Sequence, residues 1–346
     1  MKDQGGRTKA KGGRPRRRPQ TQVPRPKTRS PIPDPQSPIP ARQTLSFLTQ
    51  RFREAGIRPR TQIGQNFLID MNLQRVLLDA AALGPEDVVL EIGTGTGGLT
   101  VLLAQRAAAV VTVEVDRQLV ALAGDELAGL ANVTLLHTDA LRGKHEIQPA
   151  VLEAVYARLD AAPGRHFKLV ANLPFNIATP LLANLLALDR PPESITATVQ
   201  KEVADRLTAR PGSKDYGALA VWVQSQCRVE VLRVLAPTVF WPRPKVFSAF
   251  VHVAVDADRR RAIPDLAFFH DFAGKMFRHR RKLLRSELLV SFKDLGKARV
   301  DGLLAAQGFA ANVRAEQLSP EQMLALCEAV RNVQALPANG LPAAVW

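Results

Sequence analysis

The sequence predicts an α/β protein built on a doubly wound, mainly parallel sheet, with a basic tail before it and a helical segment after it. Three observations carry that expectation. Four short apolar runs, separated by helical stretches, end in polar or glycine elements: Gly93, Glu114, Asp139 and Asn172. The first of them opens directly into a glycine-rich turn. Beyond a charged, proline-containing stretch at 256–264 the pattern turns wholly helical. In a doubly wound sheet such strand ends line one crevice, the usual ligand site. One match of this kind is cheap; four in register are not.

Residues 1–42 come first and read as disordered. They hold 12 Lys/Arg, 2 Asp/Glu and nine prolines with few apolar side chains, too little to offset the entropy of ordering. Two readings stay open: a solvated tail, or an electrostatic arm adding salt-sensitive affinity for a polyanion. Residues 44–57 follow as a short amphipathic helix with Leu45, Leu48, Phe52 and Ile57 at near-helical spacing. GQNFLID (64–70) reads as a helix start with Asp70 as cap, leading into a helix over 72–83.

DVVLEIG (87–93) is a buried-strand run, and Gly93, Gly95 and Gly98 satisfy G-x-G-x-x-G before a helix reaching Arg106. Alone that motif is weak, and it admits a nicotinamide-dependent oxidoreductase. The strand over 110–115 carries Glu114 about 20 residues on, where an acid binds ribose hydroxyls. A third strand, 133–137, leads to Asp139, which fits an adenine-amino acceptor, a helix cap, or both. The fourth is KLVANLPFNIATP (168–180), an apolar run breaking at Asn172, Leu173, Pro174 and Phe175. Pro174 fixes its own φ and keeps Leu173 extended, so the corner is stiff. It can hold an amide oxygen, a backbone carbonyl and a ring face around one flat substrate. The plainer reading makes Asn172 an N-cap and Phe175 a core residue.

An apolar helix over 180–188 and a fifth strand over 195–200 come next, then a helical QKEVADRL (200–207). Residues 221–231 alternate only partly and merge into 230–235. Pro242 and Pro244 exclude a regular central strand around them, and a final strand runs to Val253. From Asp265 to about Val333 the pattern is helical. It includes Arg278, Arg280, Arg281, Lys282 and Arg285, a charge run that is either a solvated face or a phosphate-binding stripe. The domain division is therefore a tail at 1–42, an α/β domain at 43–257, a helical domain at 258–335 and a tail at 336–346.

Composition narrows the function classes. Of a net charge of +15, the tail carries +10 and the remainder +5, which fits a polyanionic partner, most simply nucleic acid. Two distant cysteines, Cys227 and Cys327, point to buried free thiols in a reducing compartment and exclude a thiolate cluster. The six histidines lack ligand spacing, so no metal is expected. No apolar run reaches the length of a membrane span, and the N-terminus lacks the apolar core of a secretion signal.

Taken together, GQNFLID (64–70), VLEIGTGTGGLT (89–100), VEVD (113–116), TDAL (138–141), NLPFNIATPLL (172–182), QKEVADRL (200–207), SKDYGALAV (213–221), PRPKVFSA (242–249), FRHRRKLLR (277–285) and VRAEQLSPEQ (313–322) resemble the KsgA-type rRNA adenine dimethyltransferases. The resemblance runs in order from about 58 to 330 and leaves the tail outside. It implies a Rossmann-like seven-stranded class I methyltransferase sheet with its last strand antiparallel, and a small all-α C-terminal domain. It implies S-adenosylmethionine as methyl donor, no metal, and two adjacent adenines near the 3′ end of small-subunit rRNA as substrate. A cytoplasmic monomer acting on a pre-30S particle is the expected form. By position, Asn66 and Leu68 would help close the cofactor pocket, Gly93 and Gly95 would admit the donor, Glu114 would bind ribose and Asp139 the cofactor adenine. Asn172 would face both cofactor and target, Asn172 and the Leu173 carbonyl accepting from the target amino group, with Pro174 bracing the corner and Phe175 stacking on the base. Arg278, Arg280, Arg281, Lys282 and Arg285 would meet RNA. Phe175 stands where the family usually has tyrosine; large-subunit rRNA methylases also have phenylalanine there. A ribosome-assembly or transcription factor that keeps the methyltransferase fold is a further alternative.

Overall fold

A computed structural model describes residues 44–60, 64–144 and 146–335. The expectations for the tails at 1–42 and 336–346 lie outside the described residues. In chain order the elements are α1 (Leu45–Glu54), β1 (Phe67–Leu68), α2 (Met71–Ala80), β2 (Asp87–Ile92), α3 (Gly98–Ala104), β3 (Ala109–Glu114), α4 (Arg117–Leu127), β4 (Val133–His137), α5 (Pro149–Leu159) and β5 (His166–Asn172). They continue with α6 (Ala178–Ala187), β6 (Ser194–Gln200), α7 (Lys201–Leu207), α8 (Ala218–Gln224), β7 (Cys227–Leu235), β8 (Phe240–Trp241) and β9 (Ser248–Val255). The helical remainder is α9 (Ala257–Arg261), α10 (Leu266–Met276), α11 (Leu284–Ser291), α12 (Gly296–Ala306) and α13 (Pro320–Ala335).

Seven strands form one sheet in the order β4-β3-β2-β5-β6-β9-β7. β2 through β6 pair in parallel, and β9 runs antiparallel between β6 and β7. The expected seven-stranded sheet with an antiparallel last strand is therefore present. Every residue of β2 and β3 is buried, because helices cover both faces of the parallel sheet. That is why DVVLEI and AVVTVE are near-continuously apolar. From β2 the chain turns to β3 on one side and later to β5 on the other. The C-terminal ends of these two neighbours part there and leave the crevice that strand-order reversal creates.

Several local expectations are corrected. GQNFLID is more than a helix start: Phe67 and Leu68 form β1, paired with Trp241 and Phe240 of β8. Asp70 does cap α2, accepting from the N–H groups of Asn72 and Leu73. Residues 221–224, the start of the partly alternating stretch, belong to helix α8; Trp222 donates to the Ala183 carbonyl and holds that helix on α6. Asn172 caps nothing, since α6 starts at Ala178 with Ile177 at its N-cap and no side-chain cap bond. Asp139 accepts from the Leu141 N–H and closes a turn, and α5 begins only at Pro149.

One apolar cluster runs from sheet residues such as Leu169 and Ala197 to Phe269, Leu288, Leu326 and Val330 of the C-terminal helices. Tyr216 fastens the two parts, donating its hydroxyl to the Leu318 carbonyl at 2.8 Å. Cys227 and Cys327 are free and buried, and burial pushes the Cys227 thiol up to about 12. No described helix is long and apolar enough to cross a membrane.

Candidate active site

The crevice at the carboxyl ends of β2, β3 and β5 holds a cleft partly open to solvent, with about 920 Å³ of empty space when the solvent at its mouth is included. Its floor is the turn after β2. Gly93 and Gly95 have φ of +89° and +58°, a region that disfavours L side chains. A Cβ at Gly95 would also stand 3.0 Å from the Phe67 ring, and one at Gly93 would meet Pro174 at 3.4 Å. The glycines thus let the cleft's two walls approach.

Glu114, at the end of β3, is held in a single pose. Its carboxylate accepts from the N–H of Gly95 at 2.9 Å and from those of Val115 and Asp116 at 3.0 Å each. Burial raises its carboxyl above the usual range, against the pull of those backbone donors. Asp139, beyond β4, also lines the cleft and is exposed; one oxygen is taken by the Leu141 N–H.

A strap formed by residues 64–68 crosses the top. Gln65 donates to Asp116 at 3.1 Å on the β3 side, and Asn172 Nδ2 donates to the Asn66 carbonyl at 2.7 Å on the β5 side. Phe67 packs edge-on against Phe52 at 5.3 Å, and Phe52 against Trp241 at 5.0 Å, so an aromatic cluster clamps the strap. With Nδ2 so engaged, Asn172 Oδ1 is buried and has no hydrogen-bond partner. A buried acceptor without a donor costs free energy, on the order of 1–3 kcal/mol. A ligand N–H entering the cleft would recover it.

Below the turn lies a carboxyl that the sequence reading passed over. Glu91 is buried near the carboxyl end of β2 and accepts 2.6 Å hydrogen bonds from the Thr100 and Thr112 hydroxyls. Burial pushes it up to about 8; the two threonine bonds oppose this, and the Glu114 charge adds to it. The only sequence signal was an acid inside an apolar strand. In the unfolded chain this proton leaves near the ordinary 4.5, so between there and about pH 8 the folded state holds more protons. Stability therefore falls as pH rises through that window, by at most about 1.4 kcal/mol per pH unit. Glu91→Gln is expected to flatten this slope and be the more stable form at pH 8. Urea midpoints at pH 5.5 and 8.0 check it, and parallel slopes for both proteins would refute it.

Eight sequence-predicted residues line the one cleft: Asn66, Leu68, Gly93, Gly95, Glu114, Asp139, Asn172 and Pro174. Two corner residues stand apart. The Leu173 side chain is in the core, its N–H donating to the Thr198 carbonyl, and Phe175 is half-buried beside the cleft. The structure adds Gln65, Phe67, Thr94 and Ile177 to the lining.

With this geometry the family model described as ribosomal RNA adenine dimethylase matches residues 56–332. The chain belongs to that family. Ribosomal RNA small subunit methyltransferase A of Rubrobacter xylanophilus is 41% identical over 270 residues, covering 78% of this chain and 94% of that protein. The protein of the same name from Shouchella clausii is 34% identical over 280 residues, covering 80% and 92%. Among solved structures, a dimethyladenosine transferase from Plasmodium falciparum shares the fold with a TM-score of 0.58 at 21% identity, over 74% of this chain and 94% of that one. The 23S rRNA methyltransferase ErmE aligns with a TM-score of 0.53 at 25% identity, over 77% and 99%.

In this rRNA adenine dimethylase the basic run spans the turn between α10 and α11 and the start of α11, and its side chains divide into two kinds. Arg280 pairs with Glu316 at 2.7 Å and donates to the carbonyls of Ser213 and Lys214, and Arg285 forks onto Asp301 at 2.5 and 2.9 Å. Arg278, Arg281 and Lys282 are exposed and form no ion pair among the described residues.

Proposed function

We propose that the chain dimethylates N6 of two adjacent adenines near the 3′ end of small-subunit rRNA, using S-adenosylmethionine and no metal, as a monomer acting on a pre-30S particle in the cytoplasm. The observation that carries this reading is the buried, unpartnered Oδ1 of Asn172 at the wall of the cleft. An adenine amino group is a donor of the kind this oxygen lacks.

The donor set suits S-adenosylmethionine. Glu114, fixed by three N–H groups, keeps one of its four lone-pair sites, on Oε2, for a ribose hydroxyl. Asp139 has an oxygen left for an adenine amino group, Gly93 and Gly95 keep the floor free of side chains, and Asn66 and Leu68 form the cover. When bound, the donor supplies an electrophilic sulfonium methyl.

The remaining chemistry falls to the chain. The amino nitrogen of adenine is a poor nucleophile because its lone pair is delocalised into the ring. Asn172 Oδ1 and the Leu173 carbonyl accept hydrogen bonds from its two N–H groups, which draws those hydrogens out of the ring plane and localises the pair. Pro174 keeps that corner rigid, and Phe175 offers a ring face to a base that must leave its stack to arrive. The methylated nitrogen is acidic and loses its proton without a strong base. Positioning and a water-poor site provide the acceleration.

The C-terminal helices, 258–335, serve as the RNA-facing part. Arg278, Arg281 and Lys282 meet phosphates, whereas Arg280 and Arg285 hold the turn in shape. Replacing Arg278, Arg281 and Lys282 together by alanine is expected to shallow the salt dependence of RNA binding by about 2 in log–log slope, at unchanged thermal stability. Arg280→Ala is expected to lower stability instead. Titrations at several salt concentrations and melting curves check both.

The deciding experiment is methyl transfer from labelled S-adenosylmethionine to unmethylated small subunits and, in parallel, to large-subunit RNA, with digestion to nucleosides. Dimethyladenosine from small subunits alone is the expected result. Label in the large subunit, where Phe175 and the ErmE likeness would point, reassigns the substrate. Donor binding with no label at all favours an assembly factor.

A further inference from the structure

The loop joining β8 to β9 carries a surface that the proposed chemistry does not use. Phe247 is 53% exposed and Val246 45%, in a protein whose other phenylalanine rings are buried or half-buried among the described residues. Arg243 and Lys245 beside them are exposed and form no ion pair among the described residues. The ring is not on a loose segment. The Phe247 carbonyl accepts from the Lys201 N–H at 2.9 Å, Ser248 starts β9 opposite Gln200, and Trp241 pairs with Phe67 of the strap.

Sheet register places this loop beyond the same edge of the sheet as the cleft. Asn172 pairs with Thr198 of β6, and Thr198 with Phe250 of β9. From that row both Phe175 and Phe247 lie three residues away, beyond the same edge of the sheet. The strands they extend from, β5 and β9, are two strand spacings apart in that row, roughly 10 Å. A bare aromatic ring flanked by free cations is the combination that holds single-stranded nucleic acid: the ring stacks a base and the cations pair with the phosphates.

We propose that Phe247, with Arg243 and Lys245, is a second base platform that stacks a nucleotide next to the target adenine and holds its phosphates, so that the unstacked strand stays threaded over the cleft. The proposal rests on the chain acting on single-stranded RNA adenines. The platform positions substrate and takes no part in the transfer step.

The test uses the full chain and a short, adenine-containing single-stranded RNA, with affinity read by fluorescence anisotropy. S-adenosylhomocysteine affinity is measured alongside by calorimetry. Phe247→Ala is expected to weaken RNA binding about tenfold or more, to leave S-adenosylhomocysteine binding unchanged, and to be rescued by Phe247→Trp. Arg243→Gln with Lys245→Gln should shallow the salt slope by about 1.4, two single-strand phosphates' worth. Unchanged RNA affinity in Phe247→Ala overturns the platform. So does a matching loss of S-adenosylhomocysteine affinity, which would show a structural role. Binding losses as predicted in a protein that transfers no methyl group would uphold the platform and sink the assigned reaction.

Discussion

Asn172→Ala is expected to slow methyl transfer by about 10²- to 10³-fold while RNA affinity holds within a few-fold. The magnitude follows from what one preorganised polar contact to a reacting group contributes in a water-poor site. Alanine removes the acceptor Oδ1 and also the donor Nδ2, so the Asn66 carbonyl loses its 2.7 Å partner and the strap loosens. A several-fold rise in KM for S-adenosylmethionine should therefore accompany the fall in kcat. Asn172→Asp separates the two losses. It keeps an oxygen towards the cleft but sets a second oxygen against the Asn66 carbonyl, so it should fail mainly through the strap. Single-turnover rates at saturating donor make the measurement. An alanine variant that turns over at the normal rate would remove Asn172 from the reaction.

Glu114→Ala is expected to raise the dissociation constant for S-adenosylhomocysteine about 100-fold. The carboxylate lines the cleft at the end of β3 and can accept from a ribose hydroxyl, and its loss also strips an acceptor from the N–H groups of Gly95, Val115 and Asp116. Glu114→Gln should be milder, nearer tenfold. One amide oxygen can still serve Val115 and Asp116, but the amide nitrogen then faces the Gly95 donor. Calorimetric titration of both variants checks the order. Equal, near-normal affinities would place the ribose elsewhere.

The cleft was legible in the sequence because parallel strands end at a common edge. Apolar runs closing on Gly93, Glu114, Asp139 and Asn172 mark that edge without any knowledge of pairing. The seven-strand count and the antiparallel last strand came only with the family resemblance, and the strand order only with the structure, since hydrophobic runs carry no register. The strap was misread for a physical reason. Phe67 and Leu68 are too few to show alternation, and their strand partner lies more than 170 residues away at Phe240 and Trp241. Residues 221–224 misled because their helix, ALAVWVQ, is buried nearly all round, which erases the helical period. Glu91 stayed unread because an acid inside a strand run gives no hint of two threonine hydroxyls on neighbouring elements. The basic run was read as uniform, although Glu316 and Asp301, distant in sequence, take Arg280 and Arg285 out of it.

A carboxamide is nearly symmetric in shape, and a free one can turn over and exchange its oxygen for its nitrogen. Turned that way, Asn172 would point two protons at an adenine that itself arrives with two, and the pair would repel. The bond from Nδ2 to the Asn66 carbonyl forbids that inversion for as long as residues 64–68 lie across the cleft. The cover therefore sets the polarity of the base-binding wall as well as closing the space beneath it. A target base meets an acceptor only when the lid over its methyl donor is already shut.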